Sequence, residues 1–118
     1  MQRGQQSPCR TPEVIFKDIS RSRWIERYIG ERMAHLERFG PGITRCHVTL
    51  SREQASHRKG NRYSLMVEVR LPPQHDLAVK KQKQVHEPQT QLPALINEAF
   101  GAIAKQLKKT VQLRRGER

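Results

Sequence analysis

With 118 residues the chain is sized for one domain, and its 35% hydrophobic content supports a single two-layer core if the elements are amphipathic. Lysine and arginine number 23 against 11 acidic residues, a formal net charge of +12, which favours a polyanionic partner, nucleic acid before membrane. No run approaches the ~20 apolar residues of a membrane span, and no apolar leader opens the N-terminus.

Residues 1–11 have no periodicity and read as a disordered lead-in. Glu13 to Asp18 alternates, with Val14 and Phe16 on one side and Glu13 and Lys17 on the other, which predicts a short strand with one buried face. The polar stretch Asp18 to Ser22 follows, where Ser22 or Ser20 is a sound helix N-cap. Ile25, Tyr28, Ile29, Met33, Leu36 and Phe39 then form one apolar stripe, and Gly40-Pro41-Gly42 is expected to end the helix with a left-handed cap. The exposed arc carries Arg23, Arg27, Glu31 and Arg38. Arg32 falls beside the stripe, so its stem packs while its head reaches the edge. Glu26, Glu31 and Glu37 interleave with these arginines, so part of the charge serves pairing along the helix.

Ile43 to Glu53 alternates again, with Cys46, Val48 and Leu50 inward and Arg45, His47 and Thr49 outward. A basic loop, Gln54 to Asn61, leads into the cleanest alternation in the chain: Tyr63, Leu65, Val67, Val69 and Leu71 against Arg62, Ser64, Met66, Glu68 and Arg70. The two runs predict an antiparallel hairpin. Pro72 to His75 turns the chain into a further strand, Asp76 to Val85, with Leu77, Val79 and Val85 inward. Lys80, Lys81 and Lys83 suit an edge strand, where lysines discourage pairing with other chains. His86 to Gln91 reads as a loop. Leu92 to Gln112 is a strongly periodic helix, with Leu92, Leu95, Ile96, Ala99, Phe100, Ile103, Leu107 and Val111 on one face and Pro93 in its first turn. Its other face carries Asn97, Glu98, Gly101, Lys105, Lys108 and Lys109, and the run leaves through Arg114 and Arg115.

The order is strand, helix, three strands, helix. The expectation is an α+β fold, a βαβββα two-layer sandwich with both helices on one face of a four-stranded sheet. The body spans 12–113, and 114–118 form a short basic tail.

A search for reactive chemistry finds none to propose. The histidines at 35, 47, 57, 75 and 86 lack the paired spacing of a zinc site, so no metal or cofactor is expected. Phosphate- and dinucleotide-loop glycine patterns are absent. Cys9 and Cys46 are isolated thiols, consistent with a reducing cytoplasm, and Cys46 alternates into the core. The carboxylates show no convergent pair. These readings predict a non-enzymatic protein. Tyr28 and Tyr63 belong to the core, while Trp24 sits at the margin of its stripe. Without an aromatic platform on a strand, a surface of arginines and lysines that reads backbone and shape is the better fit.

The chain resembles the ribosome hibernation-promoting factor, or ribosome-associated inhibitor (protein Y), family, also called sigma-54 modulation proteins. The similarity covers roughly Pro12 to Arg115. It is carried by Ile15-Phe16-Lys17-Asp18, by Leu36-Glu37-Arg38-Phe39, and by Ile43-Thr44-Arg45-Cys46-His47-Val48. His57-Arg58-Lys59-Gly60-Asn61 with Tyr63, and Ile96-Asn97-Glu98-Ala99-Phe100 running on to Gln106-Leu107, complete it. The resemblance implies the same βαβββα fold with parallel helices. It also implies a monomeric cytoplasmic factor that binds small-subunit rRNA in the mRNA–tRNA channel and blocks translation by occlusion. Arg32 and His35 match two basic positions before the family's helix-one leucine, and Lys105 and Lys109 match basic positions on helix two. The expected rRNA-binding set is therefore Arg23, Arg27, Arg32, His35, Arg38, Lys59, Arg62, Lys80, Lys81, Lys83, Lys105, Lys108, Lys109 and Arg114.

Departures from the family pattern fall on helix two. Its acidic-Met-Tyr-Ala-Ala-Ile-Asp start appears as Gln91-Leu92-Pro93-Ala94-Leu95-Ile96-Asn97, and Ala102 and Val111 stand where lysines are common. The Asp76–Gln91 connection is longer than in short family members, and neither a long inhibitory tail nor an added dimerisation domain is expected. Two other readings compete. One is a different RNA-binding module, a structured-RNA reader or chaperone, although a double-stranded-RNA domain lacks the strand at Glu13–Asp18 before helix one. The other is a transcription modulator acting through protein contacts, as the older family name implies.

Overall fold

The central strand of the sheet is β3 (Asn61–Leu71), whose inward residues Leu65, Val67 and Leu71 are fully buried in the computed structural model. The structure describes residues 13–39, 42–53, 61–72 and 75–114, the last without the Arg114 side chain. β3 pairs antiparallel with β2 (Arg45–Glu53) on one side and with β4 (His75–Val85) on the other. β1 (Glu13–Lys17) adds to β2 in parallel, so the sheet order is β1-β2-β3-β4 and β4 is the lysine-bearing edge. Register carries each inward residue across the sheet: Val14, Val48, Val67 and Val79 form one row, and Phe16, Leu50, Leu65 and Lys81 another. Period-two alternation thus covers one face and leaves the other open to solvent.

Two helices cover the apolar face. α1 (Arg23–Leu36) buries Ile25, Ile29, Met33 and Leu36, and α2 (Pro88–Arg114) buries Leu92, Leu95, Ile96, Ala99, Phe100, Ile103 and Leu107. The fold is therefore the βαβββα two-layer arrangement read from the sequence. Ser22 caps α1, its hydroxyl accepting from the Ile25 N–H at 3.5 Å. Cys46 is a buried thiol. Ser64 lies on the open face yet is only 5% exposed, and its hydroxyl meets that of Ser51 at 3.3 Å.

Helix boundaries differ from expectation in two places. α1 stops at Leu36, before the Gly-Pro-Gly stretch. The next N–H groups tighten to three-residue bonds, Arg38 donating to the His35 carbonyl and Phe39 to that of Leu36. Gly40 and Pro41 lie outside the described residues, while Gly42 has φ +98°, the left-handed backbone that suits glycine. α2 begins at Pro88, inside the segment read as a loop. Pro88 takes the first helical position, where a missing N–H costs nothing. The Gln91 side chain then reaches back and its Oε1 accepts from the N–H groups of His86 (2.6 Å) and Glu87 (2.8 Å). Pro93 consequently sits inside the helix rather than in its first turn. The predicted lead-in 1–11 and the end of the basic tail, 115–118, lie outside the described residues.

Candidate nucleic-acid interface

Topology decides which basic residues can act together. α1 connects two parallel strands and so runs against both. α2 follows β4, which runs the same way as β2, and returns across it. The helices are therefore parallel, with both C-terminal halves at one end of the layer. A cavity at one end joins Trp24 and Ile25 of α1 to Pro88 and Leu92 of α2. A groove nearer the other joins Arg32 and His35 to Gly101 and Ala104. Side chains near a helix C-terminus that carry positive charge also complement its dipole.

The groove has a volume of about 300 Å³ and is lined by Arg32 and His35 on one side and by Asn97, Gly101 and Ala104 on the other. Phe39, delivered by the tightened turn after α1, is its organising ring. His35 packs edge-on against it, with centroids 5.6 Å apart and planes at 77°. From α2, the Lys108 ammonium lies 4.5 Å from the same ring's centroid, a cation–π contact that ties the helices together. Arg32 packs beside Tyr28, its guanidinium carbon 5.7 Å from the ring centroid, and its Nε is buried. The stem does pack, as its place beside the stripe predicts.

Helical spacing separates the three lysines of α2. Asn97, Gly101, Ala104 and Lys108 recur at three and four residues and share the α1 flank. Glu98, Ala102, Lys105 and Lys109 share the opposite flank, toward β4, where the Lys83 ammonium meets the Glu98 carboxylate at 3.0 Å. Lys105 and Lys109 are exposed there and do not line the groove. Lys81 is exposed on β4. Arg23 and Arg27 are exposed on the outward arc of α1, and Arg38 is exposed in the turn that follows it. Arg62 and Lys80 are on the open face of the sheet, with a layer of protein between them and the groove. Lys59 lies outside the described residues, and Arg114 closes α2 with its side chain outside them. The structure thus gathers Arg32, His35 and Lys108 and distributes the remaining candidates around them.

The open face handles charge differently. Arg70 donates to both carboxylate oxygens of Asp76, at 2.8 and 3.3 Å, and Glu13 meets His47 at 3.0 Å. The hydrogen bond from Arg70, with the positive charges of Arg70 and Arg45, holds the Asp76 carboxyl below its usual range. The same contact raises the Arg70 guanidinium. That face carries acids among its bases, whereas α2 beyond Glu98 carries lysines and no acid. Among the described residues, no group of three or more His, Cys, Asp or Glu could hold a metal ion. Among the same residues, no helix is long and apolar enough to cross a membrane.

Two features were not anticipated. Phe39 belongs to the apolar stripe by spacing, yet it also sits four residues after His35 and seven after Arg32, a spacing that puts all three on one flank. Arg52 keeps the inward phase of Cys46, Val48 and Leu50, a charged residue in a buried register.

The family described as sigma 54 modulation protein / S30EA ribosomal protein matches residues 13–115. Among solved structures, the N-terminal domain of protein Y from Thermus thermophilus superposes with a TM-score of 0.60 at 18% identity, covering 83% of this chain and 94% of that one. A ribosomal subunit interface protein from Coxiella burnetii gives a TM-score of 0.60 at 12% identity, covering 83% and 96%. No curated protein matches the chain in sequence.

Proposed function

The chain belongs to the sigma 54 modulation protein / S30EA ribosomal protein family, and from that premise we propose that it is a ribosome-associated translation inhibitor of the cytoplasm. In this reading it is a hibernation factor whose helix layer binds small-subunit rRNA in the mRNA–tRNA channel. It stops translation by occupying space. No bond is made or broken, and no cofactor takes part.

The observation that carries the reading, beside membership, is the groove that Arg32, His35 and Phe39 line together, with His35 and Lys108 both packed on the Phe39 ring. Phosphate contacts from such residues position a protein on folded RNA without reading its sequence. Cations fixed on two parallel helices present a defined pattern of charge, which a flexible basic tail does not. Lys105, Lys109 and Arg38 extend the cationic layer beside the groove, and Arg27 and then Arg23 carry it along α1 toward the other end. Arg62 and Lys80, on the far face, contribute least to a single docking surface.

The test is co-sedimentation with purified small subunits at low and physiological salt. The double variant Arg32→Glu/Lys108→Glu should lose most of its binding, while Lys105→Glu/Lys109→Glu should weaken it less. Circular dichroism checks that each variant folds. If the groove variant pellets like the parent protein, the helix groove is the wrong surface. Inhibition of an in vitro translation reaction by the parent, and its relief in the groove variant, tests the occlusion step.

A further inference from the structure

At the N-terminal end of the helix layer lies a second, larger cavity of about 810 Å³, on the far side of the molecule's helical face from the Phe39 groove. We infer that it is a binding site for one nucleotide, with Arg52 taking the phosphate and Trp24 stacking on the base.

Arg52 is the starting point. It holds an inward position on β2, opposite Tyr63 of β3, and it lines the cavity. Its Nε is buried and has no hydrogen-bond partner. Buried polar groups in folded proteins are nearly always satisfied, and a buried Nε without a partner on an arginine that lines a cavity marks a cation the fold does not use for itself. Its planar fork suits phosphate, which it can hold through two parallel bonds.

The walls supply the rest of a nucleotide's chemistry. Trp24 is 41% exposed, one of three exposed large apolar side chains among the described residues, and it forms part of the cavity lining. Tyr63, 7% exposed, lies at the inner wall. An indole accessible from one side is a stacking platform for any base, since every base offers a π-face. His86 and Thr90 add polar side chains, and Glu87 contributes a carboxylate that an exocyclic amine of a base can meet. A cation, an aromatic ring and a carboxylate in one lining match phosphate, ring and base edge in turn. Neither a bare anion nor an apolar ligand uses all three.

The nucleotide has two sources, a free nucleoside monophosphate or an unstacked nucleotide within an RNA chain. The site stands on its own geometry and does not require the ribosome reading. The chain contains one tryptophan, so its fluorescence reports on this cavity alone. The full chain is titrated with nucleoside monophosphates, with a short single-stranded oligoribonucleotide, and with inorganic phosphate, following Trp24 emission. Saturable quenching by the monophosphates, weakened at least ten-fold in Arg52→Gln, supports the site with free nucleotide as a ligand. Quenching by the oligoribonucleotide alone, with the same dependence on Arg52, supports it with RNA as the source. Phosphate should compete with either ligand while quenching little itself. A second variant, Thr90→Phe, obstructs the cavity from an exposed position and covers the case in which Arg52→Gln fails to fold. Absence of quenching by both nucleotide ligands, or quenching untouched by either variant, overturns the proposal. No ribosomes enter the titration, so it can fail while sedimentation succeeds, and the reverse.

Discussion

Asp76 shows what an exposed contact can and cannot do. Its carboxyl is held below the usual range by Arg70 and Arg45, so its ionised form is favoured in the folded state. A depressed carboxylate contributes stability above its unfolded pKa of ~3.9, and loses it as pH falls through the lower folded value. Asp76→Asn should therefore lower Tm slightly at neutral pH and not at all in strong acid. A pH series of thermal melts checks this, and a constant difference down to the acid limit would sink it. Core positions act on another scale. Leu65 is fully buried on the central strand, and Leu65→Ala should cost about 2–5 kcal/mol in a urea titration, the usual sum of lost transfer energy and residual cavity. That core was legible in the sequence because alternation at Tyr63, Leu65, Val67, Val69 and Leu71 leaves no second register. The cluster around Phe39 was less so. Its members were each assigned to their own helix, and only the packing of α1 against α2 brings Lys108 to the ring.

Elements carry the errors that single residues do not. The strands were placed to within two residues of their ends, since a period of two fixes the face as well as the extent. Helix ends obeyed local bonds that composition does not announce. Gly-Pro-Gly looked like the stop of α1, but the turn had already tightened at Arg38 and Phe39. At α2, Pro88 and the back-reaching Gln91 start the helix earlier and so strand Pro93 inside it. Pro93 cannot donate to the carbonyl of Gln89, which must find water at an exposed residue. Pro93→Ala should restore that bond and raise stability by roughly 1–2 kcal/mol, the lower part of the proline penalty because the site is in the second turn. Gln91→Ala should act in the opposite direction, by about 1 kcal/mol, since it frees two N–H groups at once. Chemical denaturation of both variants and their combination tells whether this end of α2 is as described. If Pro93→Ala is destabilising, its ring is packing more than it is obstructing.

On the scale of the whole molecule, a layer of helix separates two surfaces with different charge habits. The open sheet face matches acids with bases along its rows, as Arg70 with Asp76 and Glu13 with His47 do. The C-terminal end of the helix layer offers His35 and Lys108 on the Phe39 ring, with Arg32 beside them in the same groove. A helix is about 10–12 Å across, already more than the ~8 Å Debye length at physiological ionic strength. Cations on the sheet face are thus screened from anything docked on the helices, and net charge alone overstates what one partner feels. The salt dependence of binding can count the cations that matter. Each phosphate contact adds about 0.7–0.9 to the slope of log affinity against log salt. Lys108→Gln should shallow that slope by roughly one contact in small-subunit binding. Lys80→Gln, an equal change in net charge on the far face, should leave it unaltered. Equal effects from the two substitutions would mean that the protein attracts RNA by its total charge, and that the arrangement of the two helices has no part in docking.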